Sequence, residues 1–198
     1  MSLKRSYTLL APVYDLAAGP VFERARRASL APLSAFSPRH VLLNGVGTGL
    51  DLPHLPASHR YTALDLTRAM IERGLRRAGA LDICWIEGDS EALPFSENTF
   101  DCAVLHLIIA VVPHPARALR EATRVVKNGG TLLLFDKFLA AGSSAPLRRL
   151  LNPLVSRIAT RTDVVFETLI EDEPRLRMIS NEPAGAGGWF RRIVLEKT

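Results

Sequence analysis

HVLLNGVGTGL, residues 40–50, is the stretch of sequence that decides the fold. A short, continuous apolar run that ends in glycine is typical of a buried β-strand. The run stops at Asn44 and passes into a bend whose glycines allow a positive φ and leave the backbone open to a ligand. These glycines are Gly45, Gly47 and Gly49. Their pattern, G-x-G-x-G, differs from the G-x-G-x-x-G of a dinucleotide fingerprint, and a tight structural turn is the alternative interpretation.

Further strand-like runs follow this first strand, and helical patterns lie between them. One helix is predicted to begin at Thr67 and to end at Gly79, with an apolar face that includes Leu75. Another is predicted to begin near Pro115, and the pair Gly129 and Gly130 is predicted to make the turn into the next strand. Strands that alternate with crossover helices favour an α/β fold with a doubly wound, mostly parallel sheet and helices on both faces. The further strands begin near Tyr61, Ile83, Phe100 and Thr131.

The last part of the chain has a different pattern. Two strand-like runs, RLRMIS (175–180) and WFRRIVLEK (189–197), are separated by a short glycine-rich segment that leaves no room for a crossover helix. They are therefore predicted to pair as an antiparallel hairpin. The whole chain is predicted to form one compact domain, with residues 1–38 as an N-terminal helical cap and residues 39–198 as the main domain.

Composition excludes several classes of protein. The chain has 198 residues, 25 Lys and Arg against 20 Asp and Glu, a net charge of +5 and 47% hydrophobic residues. Such a hydrophobic content excludes a disordered chain, and two cysteines are too few for a disulfide scaffold. Cys84 and Cys102 are expected to be reduced thiols in the core. The longest apolar run, 103–112, is too short to span a membrane, and no export signal is found, so the cytoplasm is the expected compartment.

Polar residues also stand where two further predicted strands end. Asp65 ends the second strand about 20 residues after Gly45, the spacing at which a carboxylate accepts hydrogen bonds from ribose hydroxyls. Asp89 and Ser90 follow the third strand, where a carboxylate can accept a hydrogen bond from an adenine amine. A helix-start aspartate and a surface turn are the alternatives. Because the carboxyl ends of parallel strands meet at one edge of a sheet, we expect a nucleoside site there.

On these motifs the sequence resembles the class I S-adenosylmethionine-dependent methyltransferases of the ubiquinone/menaquinone-biosynthesis type. The resemblance rests on VLLNGVGTGLDLPHLP (41–56), YTALDLTRAMIERGLRRA (61–78), IEGDSEALPFSENTFDCAVL (86–105) and PHPARALREATRVVKNGGTLLLFD (113–136). The N-terminal stretch YTLLAPVYDLAAGPVFERARRASL (7–30) is similar to the opening of soluble bacterial phosphatidylethanolamine N-methyltransferases. The resemblance implies a Rossmann-like, seven-stranded sheet whose last strand is antiparallel.

The same resemblance implies a cofactor, S-adenosyl-L-methionine, with S-adenosyl-L-homocysteine as the product; no metal site is predicted. It places the glycine bend against the methionine part of the cofactor, Asp65 on the ribose and Asp89 with Ser90 on the adenine. It also places His106 near the sulfonium and implies that Tyr14 closes over the site. Leu66 and Leu93 would pack against the two faces of the adenine ring. The implied cofactor-binding residues are Asn44, Gly45, Val46, Gly47, Gly49, Asp65, Leu66, Asp89, Ser90, Leu93 and His106.

One position departs from the family pattern. Members usually carry Glu or Asp at the end of the first strand, where a carboxylate favours the ammonium group of the cofactor, and this chain has Asn44. Asparagine keeps the hydrogen bonding but loses the charge. We therefore expect weaker cofactor binding than a carboxylate gives, and Asn44→Asp is expected to change the affinity for S-adenosylmethionine.

The implied reaction is the transfer of a methyl group to a small or lipid acceptor, such as the amine of phosphatidylethanolamine. That amine must lose a proton before it attacks, and His106 and Tyr14 are the candidate catalytic residues. A buried, hydrogen-bonded histidine at a strand end is an equally good interpretation of His106.

The N-terminal stretch also bears on partners, because its apolar residues are interleaved with basic residues. Such a segment could rest on an anionic membrane, which makes the inner membrane surface a second expected location, although packing over the cofactor and the sheet is slightly favoured. The sequence lacks an Asp/Asn-Pro-Pro-aromatic motif and an added recognition domain, so nucleic acid is not a favoured acceptor. The oligomeric state is left open. The basic residues are Lys4, Arg5, Arg24, Arg26 and Arg27.

Two other classes of protein share parts of this pattern. A nicotinamide-dependent oxidoreductase would share the glycine bend and Asp65, but the G-x-G-x-G spacing and Asp89 disfavour it. A non-catalytic S-adenosylmethionine-binding or partner protein would keep the fold without the activity, and Asn44 is compatible with that interpretation.

Overall fold

The computed structural model describes residues 22–37, 39–139, 164–184 and 189–198. Tyr14 and most of the predicted N-terminal cap lie outside these ranges. The closing of Tyr14 over the site, and the division of the chain at residue 38, therefore stay predictions.

Seven strands form one sheet: β1 (His40–Asn44), β2 (Arg60–Asp65), β3 (Asp82–Glu87), β4 (Phe100–His106), β5 (Val126–Lys137), β6 (Leu176–Ala184) and β7 (Phe190–Lys197). Their order across the sheet is β3-β2-β1-β4-β5-β7-β6. Strands β1 to β5 pair with one another in parallel, whereas β7 is antiparallel to both β5 and β6. The predicted mostly parallel, seven-stranded sheet and its C-terminal antiparallel hairpin are confirmed.

Helices cover both faces of this sheet. Helix α1 (residues 22–30) and helix α2 (Arg68–Leu75) lie on one face, and α3 (Pro115–Val125) and α4 (Phe166–Glu171) lie on the other. The alternation of side chains along β1 supplies both cores, because Val41 and Leu43 pack under α1 while Leu42 packs towards α3. The chain passes from β1 to β2 and β3 on one side and then crosses to β4 on the other side of β1, and at such a reversal of strand order a crevice forms at the carboxyl ends of β1 and β4.

The end of α2 differs from the sequence-based prediction. The helix begins after Thr67 as expected, but it stops at Leu75 instead of continuing to Gly79. Met70, Ile71 and Gly74 are buried, whereas the side chain of Leu75 is 47% exposed. Since the helix ends there, Leu75 no longer lies over the sheet, and its assignment to the apolar face was wrong.

The glycine pair 129–130 also differs from its predicted place in a turn. Both residues lie inside β5, where the register between β4 and β5 shifts between Phe100 and Cys102. Gly129 has a φ of +74°, and a Cβ on Gly130 would lie 2.6 Å from Val126 and 2.9 Å from the Asp101 carbonyl oxygen. Gly129 therefore allows the irregular backbone of this strand segment, and Gly130 allows the neighbouring backbone to approach closely.

The two cysteines are both free, but only one of them lies in the core. Cys102 is fully buried on β4, and that burial raises the pKa of its thiol to about 12. Cys84 is exposed, because β3 is an edge strand of the sheet, so its predicted place in the core was wrong.

Candidate functional site

The glycine turn after β1 packs tightly on two sides and is open at its centre. Gly45, Gly47 and Gly49 all have a positive φ, between 57° and 79°. A Cβ on Gly45 would lie 2.6 Å from Ile108, and one on Gly49 would lie 2.8 Å from Leu52. A Cβ on Gly47 would meet no atom of the described residues within 4 Å, so this glycine faces open space within that part of the chain. The turn thus presents bare backbone at one place, as close approach of a ligand requires.

Asp65 holds the centre of this turn. The Gly47 N–H donates to Asp65 Oδ2 over 2.9 Å, and the Thr67 N–H donates to Asp65 Oδ1 over 3.0 Å. Burial raises the pKa of the Asp65 carboxyl, although these hydrogen bonds oppose the effect. Oδ1 also accepts a hydrogen bond of 3.4 Å from the Thr67 hydroxyl, whereas Oδ2 has a further lone pair. The carboxylate can therefore hold the turn and still accept hydrogen bonds from sugar hydroxyls.

A second hydrogen bond joins the end of β1 to the loop after β3. The Ser90 hydroxyl donates to Asn44 Oδ1 over 2.7 Å, and both side chains are buried. The Gly88 N–H donates to the Asp65 carbonyl oxygen over 2.9 Å, which fixes the start of the same loop to the end of β2. The structure therefore brings together the three strand ends that the sequence analysis singled out.

The residues predicted around an adenine ring have different surroundings. Asp89 is exposed and accepts a hydrogen bond of 2.8 Å from the Glu91 N–H, which makes a local turn. Leu93 is buried in the core cluster that contains Leu64, whereas Leu66 is only half-buried. Their contacts with an adenine ring stay predictions.

His106 lies in a buried network that connects three parts of the chain. Its Nδ1 donates to Asp51 Oδ1 over 3.0 Å, because a carboxylate can only accept, and its Nε2 lies 3.0 Å from the Ser29 hydroxyl oxygen. Arg26 Nη1 also donates to Asp51 Oδ1, over 2.8 Å. Burial would raise the pKa of Asp51, but His106 and Arg26 together hold it well below its usual range. The structure thus shows His106 as the buried, hydrogen-bonded histidine, and its catalytic role stays a prediction.

Three members of this network were missed from the sequence. Arg26 and Ser29 lie on α1, in a stretch whose arginines are typical of a solvated helix face, and Asp51 follows the glycine turn in a short 3-10 segment. The partners of Arg26 and Ser29 are distant in the chain, so no local pattern marks them. Only the position of Asp51, directly after the glycine turn, could have drawn attention to it.

Two more buried carboxylates shape the carboxyl edge of the sheet. Asp136, near the end of β5, accepts a hydrogen bond of 3.0 Å from the Ala110 N–H, and burial raises the pKa of its carboxyl to about 6. Glu91 accepts hydrogen bonds of 2.8 Å from the backbone N–H and the Nδ1 of His114. These two carboxylates fix the segment after β4 and the start of α3, which form the rim of the crevice.

The site fits a nucleoside cofactor on structural grounds. In the part of the chain that the structure describes, Gly47 faces open space beside the Asp65 carboxylate, and Asn44 Nδ2 is buried with no hydrogen-bond partner. A ligand with sugar hydroxyls and a polar tail would satisfy both features. By contrast, a cavity of about 370 Å³ at the opposite edge of the sheet, lined by Arg39, His40 and Asp101 among others, lies away from the carboxyl ends where such folds bind ligands. Within the four described ranges, no three His, Cys, Asp or Glu side chains are placed to hold a metal ion.

Comparison with known proteins identifies the reaction class. A family model described as a methyltransferase domain matches residues 42–134. The chain is 30% identical to a phosphatidylethanolamine N-methyltransferase of Cereibacter sphaeroides, over 99% of this chain and 98% of that enzyme. It is 44% identical to a ubiquinone/menaquinone biosynthesis C-methyltransferase of Ruegeria sp. (strain TM1040), but over only 40% of this chain and 34% of that enzyme.

Solved structures give the same fold. A chain from the complex between the Haloferax volcanii Trm112 methyltransferase activator and a methyltransferase superposes with a TM-score of 0.78 at 15% identity. The match covers 96% of this chain and 97% of that chain. At this identity the likeness concerns the fold alone.

The sheet, the glycine turn and the acidic strand ends are features of an α/β fold whose carboxyl edge can accommodate a nucleoside cofactor. The chain belongs to the class I S-adenosylmethionine-dependent methyltransferases, and S-adenosyl-L-methionine is its methyl donor. The predicted family, enzyme class and cofactor are confirmed, and the oxidoreductase and the non-catalytic protein are not supported.

Proposed function

We propose that the methyl acceptor is the primary amine of a phospholipid headgroup, phosphatidylethanolamine. One observation carries the proposal: similarity to a phosphatidylethanolamine N-methyltransferase extends over 99% of this chain and 98% of that enzyme. Similarity to the quinone C-methyltransferase stops at 34% of that enzyme's length. The shorter match leaves most of the quinone enzyme unaligned. It therefore gives no support for a shared acceptor where the residues that select the acceptor lie in the unaligned part.

When bound, S-adenosylmethionine supplies a methyl group activated by its sulfonium. The residues of this chain then bind, orient and exclude water. Asp65 accepts hydrogen bonds from the ribose hydroxyls while its second contact, to the Gly47 N–H, keeps the turn in place. The bare backbone at Gly47 lets the ligand approach closely. Leu66 and Leu93 border the adenine, and Asp89 with Ser90 bind its edge.

The lipid amine has to be neutral before it attacks the methyl group in line. His106 is buried, and both of its ring nitrogens are engaged, by Asp51 and by Ser29. Within the proposal His106 therefore orders the crevice, and Tyr14 is the better candidate for the proton acceptor. The catalytic contribution of the chain is mainly alignment and removal of water.

The same proposal places the enzyme in the cytoplasm and at the inner membrane surface, in peripheral contact with anionic lipid. None of the helices in the described ranges is long and apolar enough to cross a membrane. Two exposed arginines of α1, Arg24 and Arg27, add to the basic residues of the N-terminal stretch, and the chain carries a net charge of +5. Clustered basic residues are attracted to anionic headgroups.

Methyl transfer to defined vesicles tests the acceptor. The protein is incubated with methyl-labelled S-adenosylmethionine and vesicles that contain phosphatidylethanolamine, or vesicles in which demethylmenaquinol replaces it. We expect label in N-methylated phospholipid only, and no transfer by the Asp65→Ala variant. Label in the quinone fraction, or no lipid labelling by a protein that binds S-adenosylhomocysteine, would overturn the phospholipid proposal.

Flotation tests the membrane contact separately. The protein should float with vesicles rich in phosphatidylglycerol at low salt and should be released at high salt, because exposed charges are screened. An Arg24→Gln and Arg27→Gln double variant should float less. Equal recovery with neutral and anionic vesicles would contradict the electrostatic contact.

A further inference from the structure

Two buried donors next to the glycine turn have no partner. Among the described residues, three buried side-chain N or O atoms make no hydrogen bond: Arg26 Nε, Asn44 Nδ2 and Glu167 Oε2. Glu167 is already paired with Arg191 through its other carboxylate oxygen, over 2.6 Å. The other two atoms are both donors. Native proteins leave few buried polar atoms unsatisfied, so each one requires an explanation.

The two donors belong to the two ends of the same turn. Asn44 is the residue directly before Gly45, and Arg26 is bonded to Asp51, which directly follows Leu50. The turn between them is the segment whose central glycine faces open space. An unsatisfied buried donor is therefore connected to each end of the turn, at Asn44 directly and at Asp51 through Arg26.

The contacts of Asn44 decide which kind of group it can bind. Its Oδ1 accepts the Ser90 hydroxyl over 2.7 Å, a length typical of an O–H···O hydrogen bond. The amide nitrogen is thus the atom left over, and only 2% of the residue is exposed. An NH2 group donates and does not accept. The unsatisfied atom therefore requires an acceptor from the ligand, whereas an ammonium group has only donors to offer.

The contacts of Arg26 lead to the same conclusion. Its Nη1 bonds Asp51, but its Nε is buried without a partner, and the whole residue is 5% exposed. A guanidinium has donors in a planar fork that matches carboxylate oxygens, and it can serve two acceptors through different nitrogens. Asp51 is shared with His106, so it does not saturate Arg26.

We propose that Arg26 Nε and Asn44 Nδ2 bind the carboxylate at the amino-acid end of the cofactor. Arg26 is then a cofactor-binding residue supplied by helix α1, and Asn44 reads the carboxylate and not the ammonium group. This inference concerns the methyl donor and rests on the cofactor assignment alone, so it is independent of the lipid acceptor. The loss of the family's carboxylate suggested that Asn44→Asp would raise the affinity for the cofactor. This proposal predicts a lower affinity, because the substitution removes the donor and adds a like charge beside the cofactor's carboxylate.

Calorimetric titration with two ligands tests the proposal. S-Adenosylhomocysteine carries the carboxylate, and its decarboxylated analogue keeps the amine and lacks only that group. The variants are Arg26→Lys, which keeps a cation for Asp51, and Asn44→Asp, which keeps an acceptor for Ser90. Each should bind S-adenosylhomocysteine about tenfold or more weakly, the effect of losing a hydrogen bond to a charged group. Affinity for the decarboxylated analogue should change less than about twofold for Arg26→Lys and should rise for Asn44→Asp, which gains a partner for the amine.

Arg24→Lys is the matched control, because Arg24 is exposed on the same helix, and it should leave both affinities unchanged. Tighter binding of S-adenosylhomocysteine by Asn44→Asp would overturn the proposal, since it would place the ammonium group at Asn44. An equal loss for both ligands in Arg26→Lys would overturn the role of Arg26 and make it purely structural. If Arg26→Lys does not fold, as judged by its thermal melt, the direction of the Asn44→Asp effect decides alone.

Discussion

The two halves of the crevice are built in different ways. In the half at the ends of β1, β2 and β3, the residues Gly47, Asp65 and Ser90 each lie at a strand end or within three residues of one. In the half at the ends of β4 and β5, His106 is held by Ser29 on helix α1 and by Asp51 beside a short 3-10 segment, and neither of these partners lies within three residues of a strand end. The residues of the first half are therefore marked by their positions in the sequence, whereas the partners of His106 in the second half are not.

The largest expected effect on stability comes from a substitution in the buried network of the second half. Asp51→Asn should lower the free energy of unfolding by about 3–5 kcal/mol, because it leaves the buried Arg26 cation without its carboxylate. Urea denaturation measures the change. Glu72→Gln, in an exposed ion pair with Arg68, is the control and should cost less than about 1 kcal/mol. Similar values for the two variants would mean that the network does not stabilise the fold.

A pH-dependent effect should come from Asp136 in the same half. Burial raises its pKa in the folded state to about 6, from the ordinary value of 3.8, so the folded protein binds the proton more tightly than the unfolded chain. This contribution to stability is present at low pH and is lost as the pH rises from about 4 to about 6. The unfolding free energy of the wild type relative to Asp136→Asn should thus fall by up to about 3 kcal/mol between pH 4 and pH 7. Denaturation of both proteins at the two pH values measures it, and a constant difference would contradict the assignment.

Substitutions of two glycines in the turn should separate an effect on stability from an effect on ligand binding in the first half. Gly45→Ala combines a positive φ, about 1–2 kcal/mol, with a clash against Ile108, and should lower stability by more than about 2 kcal/mol. Gly47→Ala has only the backbone cost, because its Cβ would enter open space, yet it should weaken S-adenosylhomocysteine binding. Thermal melts and calorimetry of both variants separate the effects. Unchanged ligand affinity in Gly47→Ala would show that the ligand does not approach this glycine.

The smallest effect is expected at Leu75, which the sequence pattern assigned to the core. Leu75→Gln should change the free energy of unfolding by less than about 0.5 kcal/mol, because the side chain is exposed. Ile71→Ala, one turn earlier and buried, should cost about 2–5 kcal/mol. Denaturation curves of the pair test the observed end of α2. Equal costs would mean that the helix extends further in solution.

The first half could be predicted from the sequence because strand ends, glycines and acidic residues follow one another at short, fixed spacings. The same patterns predicted the sheet and its C-terminal hairpin. The end of α2 could not be predicted, since Leu75 fits the helical period and only the tertiary structure shows that the helix has stopped. The partners of His106 could not be predicted either, because Ser29 and Asp51 are joined to it only by folding.

A structure of the protein with S-adenosylhomocysteine tests the central claim most directly, which is that the cofactor binds at the carboxyl edge of the sheet over the glycine turn. We predict the ribose hydroxyls within hydrogen-bond distance of Asp65, the adenine beside Ser90 and Asp89, and the ligand in contact with Gly47. Ligand density elsewhere, such as in the cavity beside Arg39 and Asp101 at the opposite edge, would contradict the account.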